Sequence, residues 1–594
     1  MKKAYKVLTL LFSMLFILCL SAAFLPAVQR FTIHFVEVHR NDDINDVFWA
    51  QQMFAFASLG IIAILLFDFI LLSERGRKLF LEFISDIGAV ARTVGENKKY
   101  LLLLMGLYFL GYFSIIRANY SNYPIDDLAR QLRGSREWVN FYRYVSEIGS
   151  IFVHTSMRIF DIAPLTQFIA IFFISLASFF IIHSLTDGDF SPAACIASLP
   201  AGLFPFYLSN FSYRYDSPYM AFSILVSVTP FMFLAKKRSF IISSVLCLFL
   251  MCTSYQASSG IYVFMAILHF LKMLTQDKGP LENWDRTAPS GRRAVSAKAL
   301  ASFTATSVLC YVATLLFFSF LFIEKIEEEI YVDMTPKLSM LLPNSIAYIK
   351  KLVWGLGKSS TLRFSALLPA VFLYCITKRA RCGRLPAFAL SLAGLAVSLP
   401  LTYGSYIALA RPEFYPRAFA GIGVFMGCLG AMSVSLIGRE GISSRLVRAA
   451  TFCLSYCCIA FAFAFGNAQC AQKEYIRFRG TLLAQDLSEF IREDDRNIEL
   501  KFVDSIGYAR KAELLTKIYP LTTEAMDIGL SRGSSCELIL ESMNLIRLQG
   551  KSSHDYDGAD MPVLKETAYH TIQGRDGKFL ITLRSPDIPT LKDM

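Results

Sequence analysis

Long apolar runs separated by short polar connections set the pattern of this chain. Runs lie near 7–28, 50–72, 100–117, 162–183, 192–209, 217–235, 239–253, 257–274, 299–323, 363–377, 385–409, 417–437 and 446–466. Most approach or exceed the roughly 18–20 residues that a helix needs to cross a bilayer. The pattern predicts an all-α polytopic membrane protein with about 13 transmembrane helices, 239–253 and 363–377 being its weakest segments. After 466 the pattern changes. Gln469–Arg492 carries helical periodicity, with Tyr475, Phe478, Leu482 and Leu483 as its apolar face. Ile498–Val503 and Lys578–Leu583 read as strands, and Tyr508–Tyr519 as a helix stopped by Pro520. Two parts follow: a membrane part over 1–466 and a small C-terminal α/β domain over 467–594.

Composition agrees with the pattern. The 594 residues are 54% hydrophobic, 14% aromatic and 18% charged, against roughly 25% charge in soluble domains. The net charge of +12 is no nucleic-acid signal, because residues 1–466 hold 42 Lys/Arg against 27 Asp/Glu while the tail holds 17 against 20. Basic residues near span ends set topology. With the N-terminus inside, 25 of those 42 fall on the inner side, mostly in short connections such as Lys236-Lys237-Arg238 and Lys378–Arg384. The expected orientation is N-terminus cytoplasmic and C-terminus periplasmic. Lys2, Lys3 and Lys6 precede an apolar run longer than a signal-peptide core, which favours an uncleaved helix; a signal peptide cleaved near Ser21-Ala22-Ala23 is the alternative.

This orientation puts every candidate reactive cluster on the outer face. No phosphate-binding loop or dinucleotide fingerprint is present, and neither a CxxC pair nor an HExxH motif suggests zinc. Cys470 and Cys536 alone fall in the tail, where a disulfide would need suitable geometry. The outer loop 117–161 holds Asp126-Asp127 just after Pro124, then Arg130, Arg133, Arg136, Trp138, Arg143 and Arg158. A carboxylate here is a candidate general base for an acceptor hydroxyl; the alternative is an acidic pair capping the next helix. Leu128–Phe152 reads as an interfacial amphipathic helix whose arginines mainly face headgroups. Tyr213-Arg214-Tyr215-Asp216 pairs a cation with aromatics, suited to a phosphate and a sugar face, and Tyr255-Gln256 offers hydrogen bonds to sugar hydroxyls. Arg411-Pro412-Glu413 and Tyr415-Pro416-Arg417 hold two cations at a helix start, where an anion is favoured.

In chain order, IDDLARQLRG, Trp138, FYRYVSEIGSIFVHTS, DIAPLTQ, LSNFSYRYDSPYMA and SYQASSGIY resemble the bacterial type II serotype-converting O-antigen glucosyltransferases, polytopic enzymes of the GT-C class. The resemblance covers about residues 118–265. It implies an inner-membrane glycosyltransferase that takes glucose from undecaprenyl phosphate glucose and passes it to lipid-linked O-antigen repeats at the periplasmic face. It also implies inversion at the anomeric carbon with Asp126 or Asp127 as base; the leaving phosphate needs cationic stabilisation, for which Arg417 and Arg411, with Arg214 third, are the candidates. Sugar and acceptor contacts are expected from Tyr215, Asp216, Tyr255, Gln256, Glu413, Trp138 and Arg143. No cofactor is required, although a divalent cation (Mg or Mn) at the acid pair stays open. The expected partners are the lipid donor and acceptor, membrane lipids, and a separate donor synthase and flippase; no nucleic acid is expected. FYRY and LARQLRG depart from the family pattern and bear on acceptor choice. The alternatives are an O-antigen polymerase or ligase, and a polytopic transporter of lipid-linked solutes.

Overall fold

The computed structural model describes residues 2–40, 46–120, 123–276, 281, 284, 295–322, 333–491, 498–532, 535–543 and 560–585. The apolar runs form helices, because hydrocarbon offers no other partner for backbone N–H and C=O groups. In chain order the first helices are α1 (Lys2–Phe24), α2 (Pro26–Arg40), α3 (Asp46–Leu72), α4 (Glu74–Glu96) and α5 (Lys98–Ala118). Next come α6 (Ala129–Arg133), α7 (Tyr144–His154), α8 (Leu165–Leu185), α9 (Pro192–Ser198), α10 (Pro200–Leu203), α11 (Tyr207–Ser212) and α12 (Ser217–Val228). The membrane part continues with α13 (Lys237–Cys252), α14 (Ser259–Gln276), α15 (Ala297–Phe322), α16 (Leu341–Leu356), α17 (Ser360–Arg379), α18 (Arg384–Leu401) and α19 (Ala420–Ile437). A 47-residue helix, α20 (Ile442–Ser488), leads into the tail.

Among the described residues nine helices are long and apolar enough to span a membrane, or ten if α1 and α2, bent by 103° at their junction, count as one span. Proline and, for 239–253, short length account for the difference from the expected number. Pro192 and Pro200 each open a new short helix, since proline has no N–H to continue the preceding ladder. The 192–209 run is thereby divided among α9, α10 and α11. The 217–235 run ends as a 3-10 turn containing Pro230, and 239–253 gives the 16-residue α13. The weak 363–377 segment forms the full 20-residue α17.

α19 is the most buried span. Its small residues let it lie on the backbone of α9 and α10. A Cβ added at Gly423 would meet Pro200 O at 2.6 Å, and one at Gly430 would meet Ala197 O at 2.4 Å. Such stripes allow close helix approach where no hydrophobic force drives association.

Polar contacts gather the connections at two ends. At one end Lys236 pairs with Asp86 (2.5 Å), Lys272 with Asp187 (2.8 Å) and Arg439 with Asp189 (2.8 Å). At the other, Asn210 donates to Arg417 O, Gln256 to Phe141 O and the Val145 N–H to Thr253 O. There too β1 (Asp333–Pro336) pairs antiparallel with β2 (Leu409–Arg411).

The tail beyond 466 shares α20 with the membrane part, and α21 (Arg510–Ile518) and α22 (Thr522–Ala525) pack Ala512 and Ala525 into the main core. α23 (Ser535–Ser542) follows. A four-stranded sheet contains β3 (Glu499–Val503), β4 (Val563–Glu566), β5 (His570–Arg575) and β6 (Lys578–Leu583) in the order β3-β6-β5-β4. Its β3–β6 pair is parallel and the others antiparallel. A separate core joins Leu483 and Leu487 to Leu500, Phe502, Leu540 and Ile581.

The expected apolar face needs one correction: Phe478 is 48% exposed, whereas Arg479 is buried. The terminal nitrogens of Arg479 donate to the Tyr475 hydroxyl, Tyr569 O and Arg584 O, and the guanidinium lies over the Tyr569 ring. Those acceptors let a cation occupy the stripe that ends in Leu483 and Leu487. Cys470 and Cys536 are free thiols.

Candidate active site

The loop 117–161 does not fold as one amphipathic helix. It divides into a π-helical turn (Tyr123–Leu128), α6, a 3-10 turn (Trp138–Phe141) and α7. Gly134 at φ 70° ends α6, and Glu137 and Tyr142 also adopt positive φ, so the chain turns inward instead of lying flat. Two arginines expected at headgroups are consequently buried. Arg130 pairs with Asp216 at 2.7 Å and lies over the Trp138 ring, while Arg136 pairs with Glu147 at 2.9 Å. The counter-charges of Asp216, from the start of α12, and of Glu147, on α7 of the same loop, make this burial tolerable.

The acid pair sits on the π-helical turn, and its two members diverge. Asp126 is partly open, its side chain 39% exposed, and its Oδ2 lies 3.3 Å from Arg417 Nη1. Asp127 is 1% exposed. Its Oδ2 accepts the Arg214 backbone N–H at 3.2 Å, and among the described residues its Oδ1 has no hydrogen-bond partner. Burial raises the Asp126 carboxyl above the ordinary carboxylate range, against the opposing pull of Arg417, Arg130 and Arg143. Burial raises Asp127 much further, with only the Arg214 N–H and Arg130 opposing it. Asp216 shows the reverse balance. Burial pushes it up, but Arg130, the Trp138 indole N–H and Arg143 outweigh that and hold it low.

Arg417 is the hub of the open side. It is the second residue of the 3-10 turn Pro416–Phe419 ahead of α19 and donates to Glu413 Oε1 (2.7 Å), Asp126 Oδ2 and the Tyr213 hydroxyl (2.8 Å). Its own carbonyl accepts from Asn210 (2.9 Å) and from the Tyr255 hydroxyl (3.1 Å). The loops after α11, α13 and α18 therefore meet at one residue. Arg143 completes this side, its guanidinium 4.9 Å from the Tyr255 ring centre and 3.5 Å from Gln256 Oε1.

The other expected residues are placed less directly. Arg214 is turned to Asp161 at 2.5 Å, and Arg411 is exposed at the end of β2. Trp138 and Tyr215 are buried together with Ile159 and Tyr219, which keeps them and Asp216 beneath the surface. Asn210 and Asp161 were given no role from sequence, Tyr213 was named only within its cluster, and Arg130 was expected at the headgroups. Arg130 had a readable signal, because a residue four positions after Asp126 shares its helical face. Among the described residues no group of three or more His, Cys, Asp or Glu could hold a metal ion.

Comparison with known proteins identifies the chain. No solved structure matches it. An uncharacterised 55.3 kDa protein in the gtrB 5′ region of Salmonella phage P22 is 26% identical over 198 residues, covering 33% of this chain and 40% of the relative. The family model for Glucosyl transferase GtrII matches residues 113–433, more than half of the chain and nearly the whole of the site just described. The chain belongs to the GtrII glucosyl transferase family.

Proposed function

We propose that this protein is a polyprenyl-phosphate-sugar-dependent hexosyltransferase that moves glucose from undecaprenyl phosphate glucose to lipid-linked O-antigen repeats. The observation that carries the reading is the contact of Arg417 with Asp126 across 291 residues of sequence. It puts a candidate base beside a cation that can receive an anionic leaving group. In the proposed reaction the acceptor hydroxyl gives its proton to Asp126 as its oxygen bonds to the anomeric carbon from the face opposite the phosphate. The bond from that carbon to the phosphate oxygen breaks, and the lipid phosphate departs with the electron pair, stabilised by Arg417. One displacement inverts the anomeric centre. A phosphate drawn to Arg417 would also compete with Asp126 for the guanidinium, leaving the carboxylate ready to accept the proton.

Arg143, stacked on Tyr255 and close to Gln256, suits the sugar. Trp138, Tyr215 and Asp216 are assigned to support because they are buried. Arg411 and Arg214 are secondary candidates for the lipid phosphate. The reading places the site at the periplasmic face of the inner membrane, with the N-terminus cytoplasmic and about 13 crossings; α9–α11, α12 and α13 complete passes too short to qualify alone. The excess of basic residues on the opposite end supports that orientation. The phage relative's location beside gtrB supports a neighbouring gene product as partner, and a donor synthase and flippase would fill that role.

The deciding experiment incubates purified protein with polyprenyl phosphate glucose and lipid-linked O-antigen, with and without EDTA, and reads product mass. A gain of one hexose in both conditions is expected. A gain of a whole repeat would mean polymerisation. No mass change, with movement of the intact donor across vesicles, would mean transport. Loss with EDTA and recovery with Mg or Mn would give the acid pair a metal role.

A further inference from the structure

The π-helical turn bearing Asp126 is gripped by a part of the chain outside the family match, which ends at residue 433. α20 holds the end of α5 just ahead of it. Arg117 donates to the Asn467 side chain, and Lys473 Nζ donates to Asn119 O at 2.8 Å. The Tyr120 hydroxyl then donates to Asp527 O. Leu128, the last residue of the turn, packs on the tail's own core, and α23 lies against the turn. The same helix holds the facing side of the site, where Gln469 Nε2 donates to Ser212 Oγ at 3.0 Å, one residue before Tyr213. A π-turn is a rare, locally unfavourable conformation that persists where its surroundings over-determine it. Here part of those surroundings is the tail.

We propose that the tail, through α20, Asp527 and α23, is a positioning element of the transfer site, holding the π-helical turn so that Asp126 stays opposed to Arg417. Tyr120, Lys473 and Leu128 act through that turn; none touches Asp126, Asp127 or Arg417 by a polar contact in the structure. The tail is then more than a soluble appendage, since a displaced turn would separate base from cation with the membrane helices unchanged. The kinetic arm of the test rests on the transfer reading above; the exchange arm does not.

The test uses the full-length Tyr120→Phe, Lys473→Met double variant, which removes two latches without changing the acid pair. Amide hydrogen exchange over residues 126–133 should accelerate at least about tenfold relative to wild type, while exchange in α19 stays unchanged. Turnover should fall about tenfold or more with KM for the lipid donor held within about twofold, measured well below the variant's own melting temperature. Unchanged exchange in the turn overturns the proposal whatever the activity. So does a loss of turnover that only matches the loss of folded protein. If wild type transfers no hexose, the transfer reading fails, and the exchange result alone decides the positioning claim.

Discussion

The carboxylates of Asp126 and Asp127 are one residue apart, yet one faces Arg417 near solvent and the other lies under Arg214 with an unpaired oxygen. The proposed base role goes to Asp126, whose carboxylate is the one open to an acceptor hydroxyl. Asp126→Asn should therefore lower turnover by about 10²–10⁴-fold in the hexose-transfer assay at matched protein levels. Asp127→Asn keeps an oxygen for the Arg214 N–H and should retain most activity. Equal activity of both variants with wild type would remove the acid pair from the chemistry. The pH dependence follows from the same burial. A base works ionised, so turnover should rise with pH through the Asp126 carboxyl, and this limb should lie above the ordinary aspartate value of 3.8.

For stability the sign is opposite. The raised carboxyl of Asp127 favours the folded state fully below its unfolded pKa, and that contribution is lost as pH rises through the folded one. Asp127→Asn should accordingly melt no lower than wild type at neutral pH in detergent. At the cationic hub, Arg417 serves Glu413, Asp126 and Tyr213 at once through its planar fork. Lysine keeps the charge but not that geometry. Arg417→Lys should cost about 10²-fold or more in turnover, as loss of one preorganised donor typically does, and an unchanged rate would argue against the phosphate role.

On the scale of elements, helix formation was legible wherever a run was long and free of internal proline, as in α5, α8, α15 and α19. The strands β3 and β6 were legible too, because alternation of polar and apolar residues is local. The 128–152 segment was misread because its apolar spacing suits an interfacial helix. What folds it inward is Arg130 meeting the distant Asp216, together with the Arg136–Glu147 pair that joins two parts of the segment across its turn, and neither pairing leaves a trace in local periodicity. Helix packing also depends on positions where the backbone of one element meets that of another. A Cβ at Gly260 would lie 1.9 Å from Leu401 O, whereas one at Gly88 on α4 would meet nothing within 4 Å. Gly260→Ala should destabilise the α14–α18 contact by about 1–3 kcal/mol or more, as overpacking does. Gly88→Ala should be neutral or slightly stabilising through helix propensity. Melting of the two purified variants beside wild type separates these outcomes.

For the whole molecule, orientation is the property most open to direct test. In a cysteine-free background, Ser121→Cys should label from outside intact spheroplasts and Ser290→Cys only after permeabilisation; both positions lie outside the described residues. Outside labelling of Ser290→Cys would reverse the proposed topology. Sequence alone determined the membrane class, the helical character, the α/β tail and the family resemblance, because each rests on hydrophobicity, periodicity or contiguous motifs. The C-terminal boundary drawn at 466 followed composition, and α20 runs through it unbroken. Only the tertiary structure decided which acid is open and which is sealed, that Arg417 meets Asp126 while Arg214 turns to Asp161, and that the tail grips the turn carrying the acid pair. Those facts depend on which distant segments become neighbours, and burial and charge pairing are set by neighbours in space rather than in sequence.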